Sequence, residues 1–285
     1  MPNSRPLRID AHHHLWQYDP QEYAWITEEM ATIRRSFYEV DLSEALRSAQ
    51  VDAAIAVQAR QSIEETQWLL SCATRTPEIA AVVGWLPLDA ENLPELLNKI
   101  SSPHLTGLRH IVQAEPDGFL DAPAFNHGIS QLAPRGLTYD VLIYERQLPE
   151  AIRFVDRHPN QPFVLDHAAK PRIAVREFEP WATNMRKLAK RPNICCKLSG
   201  LTTEADWHTW NLNILRPYLD ICVEAFGVNR LLAGSDWPVC LLATSYSQWW
   251  ETLHEYFSAF SEDEKQKIFG ANAAAFYHLH TTSPA

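Results

Sequence analysis

AAIAVQARQSIEETQWLLSCATR, residues 53–75, changes its periodicity part-way along. Ala53–Gln58 is a short run, apolar on both faces, as a parallel strand covered by helices must be. Glu64–Arg75 instead spaces its apolar residues three or four apart, the repeat of a helix with one buried face. Strand then helix is one unit, and the unit recurs on both sides. Strand-like runs are Leu7–Asp10, Ile79–Leu86, Thr106–Ile111, Thr138–Ile143, Pro162–Asp166, Ile194–Leu198 and Arg230–Ala233. Helical spacing marks Leu42–Ala49, Pro94–Ile100, Asn126–Ala133, Leu148–His158, Pro180–Lys190 and Asn213–Phe226. Ser43 reads as a helix start, and Ser261 with Glu264 three residues on reads as a capping box. Eight strands with interposed helices in 285 residues predict a single-domain (β/α)8 TIM barrel over residues 1–285, its core spanning about 7–279. An open doubly wound sheet is the alternative. It is weakened because neither GxGxxG nor a P-loop occurs.

Bulk properties narrow the function. The net charge of −10, with Lys and Arg scattered, argues against nucleic acid or an anionic membrane as partner. No apolar run approaches the roughly 18 residues of a membrane span. "MPNSRPLRID" has no apolar signal core, so a cytoplasmic protein is expected. Five cysteines, an odd number without CxxC spacing, suit free thiols in a reducing compartment. Cys195 and Cys196 sit in an apolar run and read as core. Oligomeric state is not legible.

In a barrel of this kind chemistry sits where strands end. The first strand leads into His12-His13-His14, a run too short for a purification tag. Strand side chains alternate, so His12 and His14 share one face and His13 takes the other. Two imidazoles on one face suit a metal ion or a polarised water. The other strand ends offer Gln58 and Arg60, Trp85, Arg109 and His110, Tyr144, then Asp166, His167 and Lys170, Lys197 and Ser199, and finally Ser235, Asp236 and Trp237. Each has a plain explanation alone. Lys170 reads as a solvated cation, Trp85 and Trp237 as core, Asp236 as a turn residue, Arg109-His110 as an internal pair. Titratable ends on most of eight strands together read as a site. His278 and His280 repeat the HxH spacing, but they follow the last helix and are assigned no role.

HxH on strand 1, His on strand 6 and Asp on strand 8 resemble the amidohydrolase superfamily. The pieces "IDAHHHLW", "VQARQSIEETQWLL", "VVGWLPL", "GLRHIVQ", "FVLDHAAKP", "CKLSGL" and "GSDWPV" resemble its sugar-lactone hydrolase branch, which includes L-fuconolactonases and L-rhamnono-lactonases. The resemblance runs from Ile9 to Val239. It implies attack of an activated water on a lactone carbonyl. Two-metal members carry a bridging Lys or Glu at the end of strand 4 and a His at the end of strand 5. This chain has Arg109-His110 and Ile143-Tyr144 there, so a two-metal site is not expected. One divalent ion, zinc first, would take His12, His14, His167 and Asp236 as ligands, and metal-independent members are also implied.

A lactone needs an aligned water, a base and stabilisation of the oxyanion. Asp236 is assigned as base and His167 as its catalytic partner. Arg109, His110 and Lys170 would hold sugar hydroxyls and the opened carboxylate. Trp16, Trp85 and Trp237 would face the C–H side of a sugar ring. The expected substrate is an aldonolactone such as L-fucono- or L-rhamnono-lactone. Alternatives are a metal-dependent decarboxylase of the same fold, a pyrone-dicarboxylate lactonase and a sugar-binding protein without turnover.

Overall fold

A computed structural model describes residues 6–279; His280 lies outside them. Eight strands follow one another around a sheet in chain order: β1 Ile9–His13, β2 Ala53–Val57, β3 Ile79–Gly84, β4 Leu105–His110, β5 Thr138–Val141, β6 Phe163–Leu165, β7 Ile194–Leu198 and β8 Leu231–Ala233. Every neighbouring pair is parallel. The sheet closes just beyond β8. Asp236 N–H donates to His12 O at 2.8 Å, and His14 N–H donates to Trp237 O at 2.7 Å. Helices cover the outside: α1 Glu39–Ala49, α2 Ile63–Arg75, α3 Leu93–Lys99, α4 Pro123–Ile129, α5 Leu148–Arg157, α6 Trp181–Leu188, α7 Leu212–Phe226 and α8 Tyr246–Tyr256. The expected (β/α)8 barrel is therefore present. No helix among the described residues is long and apolar enough to cross a membrane.

Register decides which side chains enter the barrel. Arg109 pairs with Asp140, Asp140 with Val164, and Lys197 with Leu232, so these side chains share the inner face. The lower interior is apolar, with Ile9, Ala11, Ile55, Val57, Val83, Val164 and Leu232 packed on Ala273 and Tyr277 near the C-terminus. The upper interior is charged. His13 pairs with Ala56, whose neighbours are the helix-facing core, so His13 faces the helices.

Local differences from the sequence reading have physical reasons. The first strand extends through His13 instead of ending at Asp10, because pairing with Ala56 and closure on Trp237 recruit the histidines into the sheet. Between Asp10 and His13 its register slips against β2. Helix α1 starts at Glu39, where Asp41 accepts from the Tyr38 N–H at 2.9 Å, so Ser43 lies inside it. Helix α4 begins at Pro123, a residue pre-shaped for a first helical turn. Helix α8 is absent from the sequence reading, although Tyr246, Trp249, Trp250 and Leu253 have helical spacing and Ser245 caps Gln248 N–H at 3.2 Å.

Candidate active site

The site is assembled by β1, the turn after β6 and the segment after β8. Asp10, wholly buried at the base of β1, accepts from Ser235 Oγ at 2.5 Å, Ser235 N–H at 2.8 Å, His12 N–H at 3.0 Å and Tyr246 OH at 3.1 Å. These bonds staple β1 to the end of β8 and set His12 beside Asp236. After β6 the chain makes a left-handed turn, with φ of 52°, 49°, 59° and 50° at His167, Ala168, Ala169 and Lys170. Four such residues in succession are costly, on the order of 1–2 kcal/mol each. The turn is held by Trp181 Nε1–H on Ala168 O at 2.8 Å. It also needs Gly200, at φ 66°, where a Cβ would lie 2.7 Å from His167 Nδ1.

Four functional atoms converge. His12 Nε2 and His14 Nε2 are 3.1 Å apart. Asp236 Oδ1 lies 3.3 Å from His14 Nε2, 3.7 Å from His12 Nε2 and 3.8 Å from His167 Nε2. The outer nitrogens fix the rings. His14 Nδ1–H donates to Val57 O at 2.7 Å, leaving the Nε2 lone pair facing inward. His167 Nδ1 pairs with Ser199 Oγ at 2.9 Å. Burial pushes His12 well below the usual imidazole range, helped by the Lys197 ammonium, and pushes His167 down to about 4. Burial alone would raise the Asp236 carboxyl. The surrounding His167, His14 and His12 outweigh it and hold the group ionised.

Of these four residues, His12, His167 and Asp236 form a group that fits a divalent ion, and His14 stands beside it. Ligands about 2.0–2.1 Å from a tetrahedral zinc stand roughly 3.3 Å from one another. The four contacts above run from 3.1 to 3.8 Å, and donor atoms of His12, His167 and Asp236 all lie within 4.8 Å of one another. Lys197 Nζ can only donate to His12 Nδ1, so neutral His12 carries its proton on Nε2 and points it at the His14 Nε2 lone pair.

Beneath the imidazoles lies a buried network that the sequence reading does not assign. Lys197 Nζ contacts Asp140 Oδ2 at 2.5 Å, Asp166 Oδ1 at 3.0 Å and His12 Nδ1 at 3.1 Å. Tyr277 OH donates to Asp140 Oδ2 at 2.8 Å. Two cations, Arg109 and Lys197, balance two carboxylates, all buried. Burial would raise Asp166, but Lys197, His12 and Arg109 hold it well below the ordinary range. The signal available in sequence was a lone charge inside an apolar strand, Asp140 in "TYDVLI" and Lys197 in "ICCKL".

The expected substrate contacts divide. Arg109 is buried: Nη1 donates to Asp166 Oδ2 at 2.9 Å and lies 3.3 Å from His12 Nε2, and Nη2 donates to Gln58 O. It supports the imidazoles from within the barrel. Trp16 is wholly buried, its indole N–H on Arg35 O at 2.7 Å and its ring against Trp25 and Phe37. It backs His14 at 6.3 Å between ring centroids and offers no open face. Trp237 is buried against Phe37. Trp85 is half-buried and donates Nε1–H to His110 Nδ1 at 3.2 Å, whereas His110 is buried, stacked on Phe119 at 4.7 Å between ring centres and bonded through Nε2 to Glu115 Oε1 at 2.8 Å, so neither of its ring nitrogens is left for a sugar hydroxyl. Lys170 lies near Glu204, Nζ to Oε1 3.6 Å. A depression of about 570 Å³ runs along the β2–α2 loop past Arg60 and shares only Trp85 with the expected site.

A barrel whose strand ends bring three imidazoles onto one carboxylate carries a reactive cluster at the face where such barrels hold their active sites. The sequence profile of the amidohydrolase family matches residues 9–279, and the chain belongs to that family. It is 40% identical to an L-fucono-1,5-lactonase of Burkholderia multivorans over 96% of each chain. It is 36% identical to an L-fucono-1,5-lactonase of Burkholderia ambifaria over 97% of each. A solved amidohydrolase structure from Burkholderia multivorans with bound zinc superposes with a TM-score of 0.93 at 40% identity, covering 96% of this chain and all of that one.

Proposed function

We propose that this enzyme hydrolyses a sugar lactone, an aldonolactone of the L-fucono-1,5-lactone type, to the open sugar acid. The observation that carries the proposal is the meeting of His12, His14 and His167 on the ionised Asp236 at the barrel mouth. The similarity to the Burkholderia lactonases supports it. Residues 7–279 act as one catalytic domain. The five unpaired cysteines suit a reducing compartment, which supports a cytoplasmic location.

His12, His167 and Asp236 would hold one divalent ion, zinc first, which when bound would polarise the carbonyl and the attacking water, with His14 beside it on Asp236. Asp236 accepts the proton of the water as it adds to the lactone carbon. The same carboxyl then returns the proton to the ring oxygen as the C–O bond breaks. His167, its Nδ1 tied to Ser199, keeps a fixed nitrogen toward the reacting atoms. Lys170 and the half-buried Trp85 receive the polyol, while Trp16 and Trp237 shape the wall behind the histidines. Arg109 tunes His12 and Asp166 from below. The decarboxylase and pyrone-dicarboxylate readings are less supported, because they call for a carboxylate clamp of free cations and Arg109 is spent on Asp166.

Purified protein assayed with a pH indicator on aldono-1,4- and 1,5-lactones should release acid without CO2. No turnover on any sugar lactone, or CO2 release from an aromatic acid, would overturn the assignment. Activity that disappears with a chelator and returns with zinc makes the cluster a ligand set; activity that survives makes it a metal-free site.

A further inference from the structure

Beside the cluster, three strand ends bring together Tyr144, Lys170 and Glu204, of which the reaction above uses only Lys170. Tyr144, after β5, is partly exposed. Lys170 closes the left-handed turn after β6 and carries its Nζ 5.7 Å from the Tyr144 ring centre. Glu204 lies in the loop after β7, its main-chain oxygen fixed by Ala174 N–H at 2.9 Å. Its carboxyl is raised, first by burial.

Lys170 and Glu204 form a loose ion pair. Its 3.6 Å separation exceeds hydrogen-bond length, whereas surface pairs such as Arg186–Glu224 and Arg191–Asp156 close to 2.8 and 2.6 Å. Both side chains keep about a fifth of their surface exposed, 19% and 23%. An ammonium offers only donors and a carboxylate only acceptors. A hydroxyl group does both: its oxygen accepts from one while its hydrogen goes to the other. The neighbouring phenol ring gives the attached carbon an apolar face.

We propose that Lys170, Glu204 and Tyr144 form a sugar subsite in which one hydroxyl of the lactone bridges Lys170 Nζ and Glu204 Oε1. This inference rests on the sugar-lactonase reading. It makes Glu204 a specificity-determining residue that selects a lactone carrying that hydroxyl. A site built around a substrate hydroxyl rejects the analogue that lacks it, because its polar groups are then left unpaired.

The test is Glu204→Gln and Lys170→Met assayed on a six-carbon aldonolactone and its set of monodeoxy analogues, with thermal unfolding to confirm the fold. Glu204→Gln should raise KM about 10- to 100-fold on the full polyol with kcat within about twofold. One monodeoxy lactone should show the same KM with parent and variant, and the same analogue should be blind to Lys170→Met. An equal penalty on every analogue, an unchanged KM, or a fall in kcat at unchanged KM would overturn the bridge. Binding of the open sugar acid, followed by calorimetry, separates the two claims. Weaker binding by Glu204→Gln supports the bridge even if no lactone turns over, and equal binding overturns it whatever the turnover.

Discussion

Asp236 occupies the left-handed region at φ 59°, with its N–H committed to His12 O. Asparagine tolerates that conformation and keeps the shape of the side chain. It removes the charge and the proton acceptor. Asp236→Asn should therefore keep its melting temperature within a few degrees and lose about 10²- to 10⁴-fold in kcat, the usual worth of a placed base. Steady-state kinetics beside a thermal melt decides this, and normal kcat would remove Asp236 from the mechanism. At this scale the sequence was informative where spacing alone fixes direction. His12 and His14 share a face by alternation, and their Nε2 atoms do meet. It was uninformative where burial decides. Trp16 and Trp85 look alike as strand-end indoles, yet one is sealed among aromatic rings and the other stands on the rim. Glu204 sits in a polar loop, "LTTEADW", where nothing local separates a site carboxyl from a solvated one.

At the scale of elements, the inner faces of β4, β5 and β7 and the end of β6 are tied by charge. Buried ion pairs contribute little over an apolar core, but losing one partner strands the other. Lys197→Met would leave Asp140 and Asp166 facing each other with only Arg109 and Tyr277 as support. The expected loss is about 3–5 kcal/mol in urea denaturation. Adding Asp140→Asn should recover part of it, because neighbouring substitutions in one network do not add. Full additivity would mean that the two residues act independently. The alternation of strand and helix was legible because apolar periodicity follows from burial. The ends of elements were less so, since β1 gains its last residues from closure on Trp237, a partner more than two hundred residues away in the chain.

For the whole molecule, proton linkage gives the fold a preferred side of pH. His13 is wholly buried against the helices, and burial first, then His14, pushes its pKa down to about 3. In the unfolded chain it titrates near 6.5. Between these values the unfolded state holds a proton that the folded state lacks. Stability from His13 is therefore complete above about pH 6.5 and lost as pH falls toward 3, at about 1.4 kcal/mol per pH unit. His12 and His167, also lowered, act in the same direction. Asp10 opposes them: burial raises it to about 6, so its contribution is present below 3.8 and lost as pH rises through 6. Asp140, raised by burial and by Asp166, joins Asp10. His110, His158 and His254 are lowered by burial as well, and Glu65 and Glu204 raised, so among the described residues six lowered imidazoles stand against four raised carboxyls and acid should destabilise the fold. His13→Leu removes one imidazole of similar volume without touching the converging nitrogens. Urea denaturation of parent and variant from pH 6.5 down to 4 should give curves whose slopes differ by about 1.4 kcal/mol per pH unit, the variant being the flatter. Parallel curves would mean that His13 binds its proton equally well in both states, and the acid sensitivity would then belong to the other imidazoles.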